Sequence, residues 1–235
     1  MHTCHVENGS ILNMTITLDF LTGKTTDQLV PFMEHFLVHR DMQADMTKMF
    51  EAARAEGIVL ALTSSFRSFE LQQKIWNEKV MGQRPVLDSD SNPIDIKTVT
   101  PEELLFLIMR WSAIPGGSRH HWGTDFDIYD LAAKPADYKV QLIPAEYEQG
   151  GYFHNAALWL EERMEDFGFF RPYAVDRGGI APEPWHISYK PLSEKFLQSF
   201  TKEAFFDHLA QSSFLLIDEA RANQDELYHR FICIE

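Results

Sequence analysis

The sequence has few cysteines, no long apolar run and a shortage of basic residues. Its two cysteines, Cys4 and Cys233, lie at opposite ends of the 235-residue chain, which excludes a disulfide framework and a zinc site built on thiolates. No stretch approaches the roughly 18 uninterrupted apolar residues of a membrane span. Lysine and arginine total 21 against 35 aspartates and glutamates, a net charge of −14, so we do not expect the chain to coat nucleic acid or an anionic membrane.

Several catalytic signatures are also missing. The chain has no His-Glu-x-x-His of zincin proteases, no Gly-x-Ser-x-Gly of serine hydrolases and no Gly-x-Gly-x-x-Gly after a strand. Gly23-Lys24-Thr25 mimics the end of a phosphate-binding loop, but Leu18 stands where the partner glycine is required. Residues 1–20 lack the basic start and continuous apolar stretch of a secretory signal, which favours a protein that stays inside the cell unless its leader is missing from this sequence.

The fold class follows from composition and hydrophobic spacing. Hydrophobic residues make up 45% and charged residues 24% of the chain, as in an ordinary globular domain. The polar, proline-bearing segments 82–99 and 130–151 are predicted to be long loops. Strands and helices do not alternate in βαβ order, so we predict one α+β domain with a central antiparallel sheet flanked by helices. Apolar spacing predicts helices at 26–39, 41–56, 68–80, 101–112, 154–167, 195–209 and 221–231, and strands at 58–62, 124–129 and 185–189.

Two short segments concentrate histidine and acid, at 118–127 and at 183–186. A catalytic zinc needs three protein ligands from imidazole and carboxylate groups and one open position for water. His120, Asp127 and His186 supply such a set if the strands at 124–129 and 185–189 are neighbours. Neighbouring side chains on an extended backbone point apart, so we expect only one of His120 and His121 to bind metal.

Glu183 precedes His186 by three residues, across a proline. That position can hold a carboxylate beside the metal without coordinating it, where the group can take a proton from a metal-bound water and pass it to a leaving amine. The pattern therefore predicts metal-assisted hydrolysis. The alternative is that the two segments occur together by chance. The remaining histidines are expected at the surface or in the core, namely His2, His5, His35, His39, His154, His208 and His229.

These motifs resemble the VanY-like D-alanyl-D-alanine carboxypeptidases, zinc peptidases related to the D-Ala-D-Ala dipeptidases and the hedgehog signalling domain. The family pattern Ser-x-His-x-x-Gly-x-Ala-x-Asp corresponds to residues 118–127, and the later Glu-x-Trp-His to residues 183–186. A third segment, Ser-Ser-Phe-Arg-Ser-Phe-Glu-Leu-Gln at 64–72, is similar to the family's Ser-Gly-Tyr-Arg-Ser-x-x-x-Gln. The three motifs occur in order across about half of the chain, which makes the resemblance specific.

The resemblance implies roles for particular residues. It implies zinc as the cofactor, held by His120, Asp127 and His186, and Glu183 as the catalytic base. Arg67 follows a predicted buried strand, where a fixed cation can stabilise the oxyanion or engage the substrate carbonyl. The alternative for Arg67 is a structural ion pair with Glu70 or another acid. Ser118 and Gln72 are implied substrate contacts.

The chain also departs from the family pattern. Asp125 stands at the position usually occupied by alanine, and Ser65 and Phe66 replace the usual glycine and tyrosine. The extra carboxylate of Asp125 shares a strand face with Asp127. It could pair with Arg119, accept a hydrogen bond from a ligand histidine, or bind a cationic substrate group. The extra carboxylate also puts strict D-Ala-D-Ala specificity in doubt.

The predicted function is zinc-dependent carboxypeptidase activity near the C-terminus of peptidoglycan stem peptides, the expected partner. Two alternatives remain: an endopeptidase that cuts L-Ala-D-Glu or a cross-bridge, and a zinc-bearing peptide-binding module without turnover. The resemblance implies a periplasmic or cell-wall location, whereas the sequence alone indicates the cytoplasm. We predict an N-terminal helical part at 1–56, the zinc peptidase core at 57–190 and a C-terminal helical extension at 191–235.

Overall fold

The computed structural model describes residues 16–233 of the chain. Cys4, His2, His5 and most of the segment considered as a leader lie outside the described residues. The helices are α1 (Leu18–Leu21), α2 (Gln43–Ala55), α3 (Phe69–Val80), α4 (Pro101–Met109), α5 (His154–Arg163), α6 (Lys190–Ser199), α7 (Lys202–Gln211), α8 (Ile217–Ala222) and α9 (Gln224–Leu227). The strands are β1 (Leu29–Phe32), β2 (Phe36–His39), β3 (Leu60–Ser64), β4 (Asp125–Asp130), β5 (Phe169–Phe170) and β6 (His186–Tyr189).

The central sheet has four antiparallel strands in the order β3-β4-β6-β5. In its middle pair, Asp127 of β4 lies directly opposite His186 of β6, and Asp125 lies opposite Ser188. Ser64, at the end of β3, lies opposite Asp127 on the other side. The predicted α+β class with a central antiparallel sheet is confirmed, and its register brings the acidic and histidine segments together.

Several helix boundaries follow from local capping signals, as predicted. The Ser68 hydroxyl accepts a hydrogen bond from the Leu71 amide at the start of α3. Thr100 and Glu103 form a capping box before Pro101, the first residue of α4. Residues 82–99 and 131–153 are mainly loops, with short 3₁₀ turns at Ile96–Thr98 and Pro144–Glu146.

The helix predicted at 26–39 is wrong, because this segment forms the β1–β2 hairpin. Its apolar residues fit helical spacing, but they also fit two short strands that meet at a turn. Pro31 lacks an amide hydrogen for a helix interior, whereas it is tolerated in an edge strand, where it lies opposite Leu37. Tertiary contact decides between the two, since the buried His39 donates its amide hydrogen to the carbonyl oxygen of Gly123, 2.8 Å away. The N-terminal part is therefore only partly helical.

The C-terminal region also differs in detail from its prediction. The helix predicted at 195–209 is two helices, because Phe200 leaves the helical conformation and Thr201 caps α7. One apolar core includes side chains from Phe20 to Ile232, so residues on both sides of the predicted divisions at 56 and 190 share it. The division itself stays a prediction. Within residues 16–233, no helix combines the length and apolar character needed to cross a bilayer.

Candidate metal centre and active site

Two strands and one tight turn bring the predicted ligands together. Asp127 and His186 are cross-strand neighbours in the β4–β6 pair. His120 lies on a 3₁₀ turn, Arg119–Trp122, which leads into β4. Gly123 ends this turn with a φ of +68°, a conformation that glycine adopts without strain. The reversal directs the His120 ring back toward Asp127.

The side chains of His120, Asp127 and His186 lie close enough together to bind one metal ion, and we call them the ligand group. One donor atom from each of His120, Asp127 and His186 lies within 4.8 Å of the others. His120 Nε2 is 3.6 Å from one Asp127 carboxylate oxygen, and His186 Nδ1 is 3.4 Å from the other. Two ligands at about 2.0–2.1 Å from a tetrahedral ion are themselves about 3.4 Å apart, so the observed spacings suit zinc.

The hydrogen bonds around this group also fit a metal. Asp127 Oδ1 is buried and has no hydrogen-bond donor among the described residues, while Oδ2 accepts from the Ser64 hydroxyl. His120 Nδ1 faces the main-chain oxygens of Ser65 and Asp125, at 3.0 and 3.1 Å. These acceptors place the ring proton on Nδ1 and leave the Nε2 lone pair directed at the ligand group.

The charges of the ligand group depend strongly on burial. Burial lowers the pKa of His120 to about 4, so its imidazole is neutral and able to coordinate. Burial alone would raise the pKa of Asp127, but the neighbouring His120 and His186 outweigh it and hold the pKa below its usual value. Burial opposes a charged His186, yet its contacts with Asp125, Asp127 and Glu183 raise its pKa well above the ordinary value.

Asp125 occupies a fully buried position behind His186. Its Oδ1 lies 3.0 Å from His186 Nε2 and 2.8 Å from Arg119 Nε. Two of the three roles considered for this residue therefore occur together: it pairs with Arg119 and accepts a hydrogen bond from a predicted ligand histidine. The third role, direct contact with a cationic substrate group, is not supported because the side chain has no exposed surface.

His121 turns away from the ligand group, as predicted for one of the two adjacent histidines. Its Nε2 accepts a hydrogen bond from the Gly116 amide at 3.0 Å, so its Nδ1 carries the proton. That proton points to the main-chain oxygen of Arg67, 2.6 Å away. His121 thus supports the backbone that carries Arg67, a role that the sequence did not reveal.

Glu183 lies beside the ligand group, outside the three donors that share a common point. Its Oε2 is 3.4 Å from His186 Nδ1, and its amide donates to the Tyr173 carbonyl oxygen at 2.9 Å. Burial raises the pKa of Glu183, so its carboxyl takes up a proton more readily than an ordinary glutamate. A raised pKa suits a group that must accept and then release a proton near neutral pH.

Arg67 reaches the same site from the loop after β3. Its Nη1 donates to the Gln72 amide oxygen at 2.9 Å. Within residues 16–233, no carboxylate oxygen lies within 4 Å of its guanidinium, so the proposed pairing with Glu70 does not occur. Burial lowers the pKa of Arg67, against the opposing charges of Asp127 and Glu183, but an arginine stays protonated.

Gln72 does not contact the site cavity, although the resemblance implies a substrate contact. It is fully buried, and its amide nitrogen donates to the Ala113 carbonyl while its oxygen accepts from Arg67. The structure therefore indicates that Gln72 orients Arg67. Ser118 does line the cavity, as a substrate contact must.

The cavity above the ligand group has a volume of about 360 Å³. Ser118 and Glu183 line it beside the metal-ligand group, and Gln141 and Leu142 of the long loop 131–153 form part of its rim. Other side chains that belong to none of the three motifs also line the cavity, and two of them carry polar groups that sequence reasoning did not assign to the site.

These two side chains are Tyr173 and Lys79. Tyr173 packs edge-on against His186, with ring centroids 4.7 Å apart. Lys79 adds an ammonium group near the end of α3. In the sequence, Tyr173 looks like an ordinary core aromatic residue and Lys79 like an ordinary surface lysine. Only the folded chain shows that both lie at the cavity.

Comparisons with known proteins agree with this geometry. The model of the VanY family, described as D-alanyl-D-alanine carboxypeptidase, matches residues 35–192. An uncharacterized protein of Haemophilus influenzae is 44% identical over 92 residues, covering 38% of this chain and 70% of that protein. A D-alanyl-D-alanine carboxypeptidase of Enterococcus faecalis is 31% identical over 144 residues, covering 60% of this chain and 44% of that protein.

Solved structures share the fold. VanYB in complex with D-alanine-D-alanine has a TM-score of 0.52 and 24% identity, over 79% of this chain and 89% of that one. A VanY D,D-pentapeptidase mutant from a VanB-type resistance cassette, in complex with Zn(II), has a TM-score of 0.50 and 21% identity, over 88% of this chain and 86% of that one. At these identities the likeness establishes the architecture.

Proposed function

The chain belongs to the VanY family of D-alanyl-D-alanine carboxypeptidases, and from that premise we propose that it is a zinc peptidase that shortens peptidoglycan stem peptides at their C-terminus. The observation that carries the proposal is the meeting of His120, Asp127 and His186 around one point, beside Glu183 and Arg67. Nitrogen and carboxylate donors in this number leave a coordination position for water, as catalytic zinc requires.

In this proposal, His120 and His186 supply nitrogen ligands and Asp127 supplies an oxygen ligand. Zinc bound there would polarise the peptide carbonyl and make an attacking water more acidic. Two of the three protein ligands would be held in place by outer contacts, from the Ser65 carbonyl to His120 and from Ser64 to Asp127.

Glu183 is proposed as the group that moves the proton. Its carboxylate would accept a proton from the attacking water and then donate it to the departing amine, which leaves the glutamate unchanged at the end of the cycle. Its burial and its position 3.4 Å from His186 Nδ1 support this role.

Arg67 is proposed to stabilise the negative charge that develops on the carbonyl oxygen. It lines the cavity, is oriented by Gln72, and has no carboxylate partner nearby within the described residues. A fixed cation whose target appears only in the transition state lowers the barrier without reorganising. Ser118, which also lines the cavity, would contact the peptide.

Product analysis on defined peptides tests the reaction. Incubation with a pentapeptide stem ending in D-Ala-D-Ala should release free D-alanine, detected by mass spectrometry of both products. Fragments cut after L-alanine or within a cross-bridge would instead indicate an endopeptidase. Stoichiometric peptide binding without cleavage would indicate a binding module, and either result would overturn the proposed reaction.

A glutamate variant tests the assigned proton carrier. Glu183→Gln should lower kcat by about 10²–10⁴-fold while zinc content stays at the wild-type level, because the variant removes the proton acceptor and keeps the ligands. Glu161→Gln, on the exposed face of α5, is the matched control and should retain full activity. Normal turnover in Glu183→Gln would remove Glu183 from the mechanism.

A further inference from the structure

The Asp125 carboxylate is surrounded by four polar partners and no solvent. Its Oδ1 receives His186 Nε2 at 3.0 Å and Arg119 Nε at 2.8 Å. Its Oδ2 receives the hydroxyl groups of Thr124 at 2.8 Å and Ser188 at 2.9 Å. Four donors around two oxygens fix the orientation of this carboxylate, and its exposed fraction is 0%.

This carboxylate determines which nitrogen of His186 faces the cavity. An acceptor at Nε2 keeps the ring proton there, so the lone pair available for a metal is on Nδ1. Nδ1 is the atom that lies 3.4 Å from both Asp127 Oδ1 and Glu183 Oε2. A ring turned the other way would lose the bond to Asp125 and present the wrong atom.

Arg119 balances the charge that this arrangement needs. Asp125 is the third carboxylate around His186, after Asp127 and Glu183, and burying it would be costly without a cation. The guanidinium of Arg119 lies 4.9 Å from the Trp122 ring centroid and 5.8 Å from that of Phe170, and its Nη2 donates to Ser188 at 2.8 Å. The arginine is therefore held as firmly as the aspartate that it neutralises.

We propose that Asp125 is a positioning residue that orients His186 toward the metal, and that Arg119 holds the Asp125 carboxylate in place through its contact at 2.8 Å. This inference rests on the proposed function, since it assumes that His186 is a metal ligand. Asp125 acts through His186, because its side chain has no exposed surface that could contact substrate.

Zinc affinity of the 235-residue chain is the direct readout. Competition titration against a chromophoric chelator should show zinc dissociation constants about 10- to 100-fold weaker for Asp125→Ala than for the wild type, because an outer hydrogen bond to a ligand imidazole is lost. The absorption spectrum of the cobalt(II)-substituted protein should shift in the same variant, since the His186 ring is no longer fixed.

The matched control is Asp130→Ala, at the other end of the same strand. Asp130 is also buried, but it bonds the main-chain amides of Val59 and Ala132, far from the ligand group. This variant should lose stability while its zinc affinity and cobalt spectrum stay unchanged. A purely structural role for Asp125 would make the two variants behave alike.

A double variant covers the case in which Asp125→Ala leaves Arg119 buried, unpaired and destabilising. Arg119→Met combined with Asp125→Ala removes both charges and should fold, yet still bind zinc more weakly than the wild type. Wild-type zinc affinity in this double variant would overturn the positioning role of Asp125 and leave the proposed function standing. Failure of the wild-type protein to bind zinc would overturn the proposed function and this inference with it.

Discussion

His121 Nδ1 lies 2.6 Å from the main-chain oxygen of Arg67, while the Arg67 amide donates to the main-chain oxygen of His120 at 3.1 Å. The loop that carries the proposed oxyanion stabiliser is thus joined twice to the turn that carries a proposed zinc ligand. Burial lowers the pKa of His121 to about 3, so its neutral ring keeps one donor and one acceptor throughout the physiological range. The His121 side chain therefore helps to fix the position of Arg67 relative to the proposed zinc ligands.

Replacing His121 should therefore affect catalysis more than metal binding. We expect His121→Leu to lower kcat about 10- to 100-fold, because small displacements of a catalytic group have effects of this size. Zinc affinity should stay within about threefold of the wild type, since the outer contacts of His120 are main-chain oxygens. His229→Leu provides an exposed control. Loss of zinc with unchanged kcat per bound metal would contradict the assignment.

Lys79 should contribute to recognition of a substrate carboxylate. It lines the cavity, and no carboxylate oxygen lies within 4 Å of its ammonium in the part of the chain that the structure describes. Burial lowers the pKa of Lys79 to about 8, which still leaves it mainly charged at pH 7. We expect Lys79→Met to raise KM about tenfold, as loss of one charge-assisted contact predicts.

A helical neighbour and an amidated peptide complete this test. Lys74 lies on the same helix, but its side chain is 69% exposed and contacts Glu78, so Lys74→Met should leave KM unchanged. Kinetics with two amidated peptides identify the carboxylate that Lys79 binds. One peptide is amidated at its C-terminal carboxylate and the other at its internal glutamate carboxylate. The KM values of the variant and the wild type should become equal on the peptide in which the bound carboxylate is amidated. Equal losses on all three peptides would show that Lys79 has no carboxylate partner.

Two buried histidines should make the fold less stable in mild acid. Burial lowers the pKa of His39 and of His208 to about 4. In the unfolded chain both titrate near 6.5, so between pH 6.5 and about 4 the unfolded state binds more protons and stability falls as pH falls. Each can contribute a slope approaching about 1.4 kcal/mol per pH unit within that window.

Urea unfolding at a series of pH values measures this slope. The double variant His39→Gln/His208→Gln should be less stable at pH 7.5, yet should lose less of its remaining stability than the wild type on going to pH 5. His35→Gln, at a side chain that is 82% exposed, should keep the wild-type slope. Parallel stability profiles for all three proteins would show that other groups control the acid sensitivity.

Gly123 should resist substitution for two separate reasons. Its φ is +68°, and an added Cβ would lie 2.5 Å from Leu29 Cδ2 and 3.1 Å from the His39 amide nitrogen. Gly57 has a similar φ of +86°, but no heavy atom lies within 4 Å of the position that an alanine Cβ would take there. We expect Gly57→Ala to lower the free energy of unfolding by about 1 kcal/mol and Gly123→Ala by about 2–4 kcal/mol, because the second variant adds a clash to the backbone strain.

Thermal unfolding of the two glycine variants provides the comparison. The difference between them isolates the contact between the ligand-bearing turn and the β1–β2 hairpin, since the φ strain is common to both. Equal losses of stability would show that the hairpin moves aside without cost.

The sequence predicted those parts of the fold whose signals are local. Ser68 and the Thr100–Glu103 pair act on residues within one helical turn, so their effects can be anticipated without knowing the rest of the molecule. The candidate site was equally accessible, because its ligands lie in two short segments whose residue types and spacing suit a metal. The antiparallel register then brings Asp127 and His186 face to face.

The missed features depend on distant partners. Residues 26–39 fit both a helix and a hairpin, and packing of His39 against Gly123 selects the hairpin. Gln72 was expected at the substrate, but its amide is used by Arg67 and the remote Ala113 carbonyl. Only the tertiary structure shows which of several hydrogen-bonding partners an amide or carboxylate takes.

Asp127 and His186 face each other within the β4–β6 pair, so the spacing of these two proposed metal ligands is set by the sheet and not by the long segment that connects the two strands. After β4 the chain makes a long excursion through residues 131–185. It then returns as β6, whose first residue, His186, lies opposite Asp127. Lengthening or exchanging the rim at 131–153 therefore changes what surrounds the peptide without altering the spacing of the donor atoms. For the proposed peptidase, we therefore expect exchange of this loop to change peptide selectivity while the donor spacing is kept.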